Sequence, residues 1–110
     1  MTVKNHFPTA DIALENVADG LSRKVCAHND NVMVVEVHFE AGVTAPLHHH
    51  VHEQITYVMS GKFEFTVGDK TYIVGAGDSL YKQPNIEHGA TCLEAGMLLD
   101  VFTPHREDFL

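Results

Sequence analysis

The sequence predicts an all-β protein of a single domain, residues 1–110, and three observations carry that prediction. Short runs of β-branched and apolar residues recur at close spacing along the chain. Gly, Asn, Asp and Pro punctuate them where a strand must turn. Beyond the opening segment, no stretch has an apolar period that competes as a helix. Many short strands without linker, internal repeat or low-complexity segment describe a β-sandwich or barrel.

Each element follows in order. Residues 9–17 allow two readings, one helical turn capped by Thr9 or an extended run. Residues 22–28 (SRKVCAH) and 31–40 (NVMVVEVHFE) read as two strands folded at Asn29-Asp30. In the second, Val35, Val37 and Phe39 point one way and Glu36 and His38 the other. Residues 63–74 (FEFTVGDKTYIV) carry Gly68-Asp69 at their centre, a second hairpin. GAGD at 75–78 is a turn, and so is QPN at 83–85, where Pro84 has no N–H to give to a ladder. GMLLDVF at 96–102 is the last strand, with Pro104 of the tail TPHREDFL marking its end.

Composition excludes several classes. A hydrophobic fraction of 45% and a charged fraction of 20% are those of a globular protein. No apolar run approaches the ~20 residues of a membrane helix. The stretch MTVKNHFPTADIAL lacks the basic start, apolar middle and small-residue site of a secretory leader, so a cytoplasmic setting is expected. Cys26 and Cys92 lie far apart without C-x-x-C spacing and read as reduced core thiols. A net charge of −8 opposes nonspecific attraction to nucleic acid or anionic lipid. The expected partner is a small molecule.

The densest chemistry lies in HHHVHEQ, residues 48–54. Side chains two apart on a strand share a face, so His48 and His50 project together while His49 turns away. A straight strand would carry residue 54 about 13 Å beyond residue 50, too far for one ion, so the chain must bend near residues 51–53. After such a bend either Glu53 or Gln54 can face the two histidines. His88, just after QPNIE, is a fourth candidate on a strand expected to run alongside. Three imidazoles and one oxygen donor suit Ni²⁺, Zn²⁺, Fe²⁺, Mn²⁺ or Co²⁺. His6, His28, His38 and His105 read as ordinary strand or surface histidines. His52 stays open between a group behind the ligands, a cavity donor and a solvated turn residue.

Residues 42–61 resemble the first cupin motif, G-x5-H-x-H-x3-E-x6-G, through Gly42, His48, His50, Gln54 and Gly61, with glutamine in place of the glutamate. Residues 77–88 resemble the second, G-x5-P-x-G-x2-H, with Gln83 for the proline, Asn85 for the glycine, and His88. Asn is the best non-glycine residue at a left-handed turn position, so that change is structurally cheap. Cys92 replaces an asparagine often found four residues after the histidine. The resemblance implies a small jelly-roll barrel that pairs as a homodimer and holds one divalent transition metal through His48, His50, Gln54 and His88. The neutral amide of Gln54 would leave the ion its full double charge, which favours an anionic ligand such as an acidic sugar or keto acid.

The last strand raises a question of orientation. Alternation groups Leu98, Asp100 and Phe102 on one face, and Asp100 is either exposed or aimed into the cavity. Arg106 is either gripping a carboxylate at the barrel mouth or paired with Glu107 or Asp108. The run LLDVFTPHREDFL resembles the KdgF-type pectin-degradation cupins, in which the aspartate, phenylalanine and arginine of that run are associated with catalysis. That implies roles for Asp100, Phe102 and Arg106 in linearising 4,5-unsaturated monouronates to 5-keto-4-deoxyuronate. Asp100 would donate the proton, with Phe102 as an apolar wall beside it. A cupin dioxygenase and a noncatalytic sugar-binding cupin are the competing readings.

Overall fold

Period-two alternation of apolar side chains forces the strands to pack face to face, and the computed structural model, which describes residues 3–110, has ten of them. They are β1 (Glu15–Ala18), β2 (Leu21–His28), β3 (Met33–Phe39), β4 (Thr44–His48), β5 (Glu53–Val58), β6 (Lys62–Val67), β7 (Lys70–Gly75), β8 (Ser79–Lys82), β9 (His88–Glu94) and β10 (Gly96–Thr103). A six-stranded sheet has the order β1-β2-β3-β10-β5-β8 and a four-stranded sheet the order β4-β9-β6-β7, with antiparallel pairing throughout. This is the all-β architecture expected from the sequence. Met1 and Thr2, the head of the stretch read for a leader, lie outside the described residues.

The expected hairpins form for the expected reasons. At the β2–β3 turn, Asn29 Oδ1 accepts the N–H groups of Asn31 and Val32 at 2.9 and 3.0 Å. Gly68 takes φ 62° between β6 and β7. The opening segment contains both of its readings. Thr9–Asp11 makes one 3-10 turn, β1 then runs extended, and Thr9 accepts from Lys24 Nζ at 2.7 Å instead of capping. The cysteines differ from each other: Cys92 lies in the core, whereas Cys26 is only half-buried, its thiol facing Glu36.

The barrel is apolar at one end and polar at the other. Phe39, Val58 and Leu98 of one sheet pack against Phe63, Phe65, Val74, Ala90 and Cys92 of the other. The inner-face rows run away from that core in register. β10 reads Leu98, Asp100, Phe102 beside Val58, Thr56, Gln54 of β5, and β8 adds Leu80 and Lys82 in the same rows. Across the barrel β9 reads Cys92, Ala90, His88. β5, β8 and β9 therefore exchange carbon for a polar group at the same end, while Phe102 of β10 packs there with Met33 and Val35 of β3.

Two irregularities aim the histidines. β4 carries one extra residue between Ala45 and His48 relative to β9, a bulge that holds Pro46, which has no N–H to donate. Opposite it stands Gly89, where a Cβ would come within 2.9 Å of the Ala45 carbonyl oxygen. The second irregularity is the QPN turn. Asn85 adopts φ 65° and donates its backbone N–H to the His50 carbonyl at 2.8 Å.

Because a left-handed conformation costs a β-branched residue about 1–2 kcal/mol, Asn85→Val should lower unfolding free energy by that amount or more. Asn85→Gly should stay within a few tenths of wild type. Urea unfolding of the two variants measures the difference.

Candidate metal centre and cavity

Three imidazoles converge where the polar ends of the sheets meet. His48 ends β4 and pairs in register with His88, the first residue of β9. His50 lies beyond β4 in the bend linking the two sheets, so it meets His48 through the crossing of the chain and not through strand alternation. The rings of His48 and His50 lie 4.3 and 4.9 Å from that of His88, and candidate ligand nitrogens of all three fall within 4.8 Å of one another. His49 faces outward.

The hydrogen bonds set these rings for ligation. Nδ1 of His48 lies 2.9 Å from the Pro46 carbonyl and Nδ1 of His88 lies 2.9 Å from the Ile86 carbonyl. A carbonyl only accepts, so each Nδ1 carries the proton and each Nε2 presents a lone pair. His88 Nε2 is buried without a partner, a lone pair whose desolvation nothing in the protein offsets. The site fits a divalent ion on that ground. Burial pushes the His88 pKa down to about 4 and lowers that of His50, where the Arg106 charge adds to the effect. Both rings are thus neutral at pH 7, as ligation requires.

Gln54 is buried on β5, and its Oε1 lies 3.0 Å from His50 Nε2. Glu53 points outward and bonds the Tyr81 hydroxyl. The bend therefore turns the amide, not the carboxylate, toward the histidines.

Asp100 and Phe102 both face inward and line the cavity. The groups touching Asp100 differ from the apolar wall expected beside it. Its Oδ1 accepts from the Thr56 hydroxyl at 2.6 Å, and Thr56 in turn accepts from Lys82 Nζ at 2.8 Å. Phe102 instead packs with Met33 and Val35, edge-on to His50 at 5.8 Å. Arg106 makes the pairing with Asp108, one of its two readings, and it does so at the cavity. Its guanidinium lines the cavity and lies over Phe109 at 4.3 Å, while Nε and a terminal nitrogen bond the two oxygens of exposed Asp108 at 3.0 and 2.9 Å. His52 sits edge-on to Phe102 at 6.2 Å, and the nearby Arg106 charge adds to burial in lowering its pKa.

Four contributors escaped the sequence reading: Thr56, Lys82, Arg23 and Phe109. Period-two counting could have found the first two, since Thr56 follows Gln54 and Lys82 follows Leu80 on inward faces. Arg23 lies 3.8 Å over the Phe109 ring, a contact between distant segments that carries no local signal. Three of the seven Lys and Arg residues, Arg23, Lys82 and Arg106, line this cavity against the single carboxylate of Asp100.

Residues 35–102 match the family described as the cupin domain. The chain is a cupin. It is 36% identical to the pectin degradation protein KdgF of Dickeya dadantii (strain 3937), over 98% of this cupin and all of that relative. The structure of KdgF from Halomonas sp. superposes with a TM-score of 0.93 at 32% identity, covering 98% of this chain and 100% of that one. An RmlC-like cupin from Shewanella frigidimarina NCIMB 400 superposes with a TM-score of 0.92 at 35% identity and 97% coverage of both chains.

The lowered pKa of His88 has a consequence for the metal-free cupin. Between pH 6.5 and about 4 the unfolded chain takes up a proton at this ring that the folded chain refuses. Stability therefore falls as pH drops through that window. Urea midpoints of chelator-treated protein should decline from pH 7 to pH 4.5, and His88→Gln should flatten the decline.

Proposed function

We propose that this cupin linearises 4,5-unsaturated monouronates, the sugar acids released by pectate or alginate lyases, to the open-chain 5-keto-4-deoxyuronate. One observation carries the reading. A chain of net charge −8 turns three of its seven Lys and Arg side chains into a single cavity, next to three converging imidazoles suited to a divalent ion. Such a cavity selects an anion against the field of the rest of the surface. Its volume of about 260 Å³ lies at the small end of ligand sites, fitting one sugar acid and not a polymer strand. The similarity to proteins named for pectin degradation supports the same choice.

His48, His50, His88 and Gln54 would hold the ion, which when bound supplies the positive charge that polarises the sugar's oxygens. Arg106 binds the C6 carboxylate through two parallel hydrogen bonds, the geometry it makes with Asp108. Phe102 supports that guanidinium, 5.1 Å from the ring centre. Asp100 donates a proton to C4 of the enol ether. Water then adds at the oxocarbenium carbon C5 and returns a proton to the carboxylate. Breaking the bond from C5 to the ring oxygen, with the C5 hydroxyl proton passing to that oxygen, leaves the C5 ketone and C1 as its hydrate, which loses one water to give the aldehyde. Opening at C1 first, followed by tautomerisation of the enol, uses the same residues in the reverse order.

Loss of the enol-ether ultraviolet absorbance on adding metal-loaded protein, with a chelated control, tests the reading. Absorbance that stays constant while the uronate binds would make the chain a sugar-binding cupin, and turnover coupled to oxygen consumption would make it a dioxygenase. Asp100→Asn should cost about 10²–10⁴ in rate with metal content unchanged. Substrate must displace Asp108 from Arg106, and an exposed pair of this kind is worth about 1 kcal/mol at most. Asp108→Asn should therefore lower KM by up to about fivefold, read from initial rates.

A further inference from the structure

Lys82 is a buried lysine with almost no solvent and almost no partners. Its side chain is 2% exposed, its Nζ lies 4.5 Å over the Phe65 ring, and its hydrogen bond goes to the Thr56 hydroxyl. Burial lowers its pKa and the charge of Asp100 raises it, so the two groups belong to one electrostatic unit. Thr56 is fully buried between them and has three bonds: one from Lys82 Nζ, one from Gln54 Nε2 at 3.2 Å, and one to Asp100 Oδ1.

We infer that Lys82 and Thr56 are positioning residues that set which atom Gln54 offers to the histidine cluster and which oxygen of Asp100 can carry a proton. The argument is one of direction. An ammonium donates and cannot accept, so it consumes one lone pair of the Thr56 oxygen. A hydroxyl has two lone pairs and one proton. With the second lone pair taken by the Gln54 amide nitrogen, the single proton has only Asp100 Oδ1 to go to. The amide cannot flip without setting its oxygen against an oxygen that has no proton left to give. Gln54 Oε1 is thereby held toward the imidazoles, where it lies 3.0 Å from His50 Nε2. Asp100 Oδ1 is committed as an acceptor, so Oδ2 is the oxygen left free to take or give a proton. A group that only donates, placed at one end, thus polarises the whole chain of bonds.

This inference rests on the roles proposed above for Gln54 and Asp100. Its test pairs a binding measurement with kinetics. Metal-stripped protein is titrated with Ni²⁺ alone by calorimetry, and kcat and KM are measured on the unsaturated uronate. Thr56→Val should weaken Ni²⁺ binding by about 10- to 100-fold, the usual cost of losing a partner behind a ligand, while Thr56→Ser keeps it within about threefold. Lys82→Met should lower kcat at least about tenfold, a loss larger than any rise in KM from the removed charge. The double variant should be no worse than Thr56→Val alone, because Lys82 acts through that hydroxyl. Thr56→Ala repeats the measurement if the valine variant does not fold. Wild-type Ni²⁺ affinity in the variants lacking the hydroxyl, or losses in kcat that multiply in the double variant, would overturn the inference. Wild-type protein that binds no Ni²⁺ would sink the underlying reading instead.

Discussion

Residues 49–52 carry the chain from β4 in one sheet to β5 in the other, and the site depends on that crossing. The His50 carbonyl is anchored there by the Asn85 N–H, so the left-handed turn before β9 and the bend after β4 hold one another. With both in place, donors from opposite sheets meet in one volume. His48 and His88 come from the small sheet, Gln54 from the large one, and His50 from the link between them. A bend displaced by one residue would exchange Gln54 for Glu53, and with it a neutral donor for a charge.

The interior is organised by what each lone pair and each donor lacks. Neutral imidazoles present unpartnered nitrogen, which asks for a cation. Lys82 and Arg106 present positive charge, which asks for an anion. Asp100 lies among them as the one carboxylate lining the cavity, with its nearer oxygen tied to Thr56. In a medium of low dielectric these charges act on a bound molecule with several times the strength they would have in water. An acidic surface therefore coexists with a cavity of opposite preference, because burial separates the two fields.

The C-terminal segment closes the cavity with side chains that serve two ends at once. Phe109 lies under the guanidiniums of both Arg23 and Arg106, so the tail is held by cation–π contacts at the rim. Asp108 occupies the Arg106 fork while standing in solvent. Phe109 also packs on the cluster of Met33, Val35 and Phe102, so the rim joins apolar contact to cation–π contact, and the guanidinium is kept at the cavity by partners weak enough to exchange.

Much of this was determined by the sequence alone, because period-two alternation and turn chemistry are local properties. The strands, the hairpins at Asn29 and Gly68 and the grouping of Leu98, Asp100 and Phe102 all follow from neighbours a few residues apart, and the left-handed role of Asn85 from its place in the second motif. The set His48, His50 and His88 was legible from the spacing of the two motifs and not from alternation, since His50 lies in the link beyond β4. Tertiary structure alone decided what faces what across the barrel. Hydrogen bonds from Lys82 and to Asp100 meet at Thr56, and the guanidiniums of Arg23 and Arg106 meet at Phe109, pairs that no local pattern joins. Register between strands distant in sequence sets those meetings, and the cooperative packing of the whole barrel sets the register.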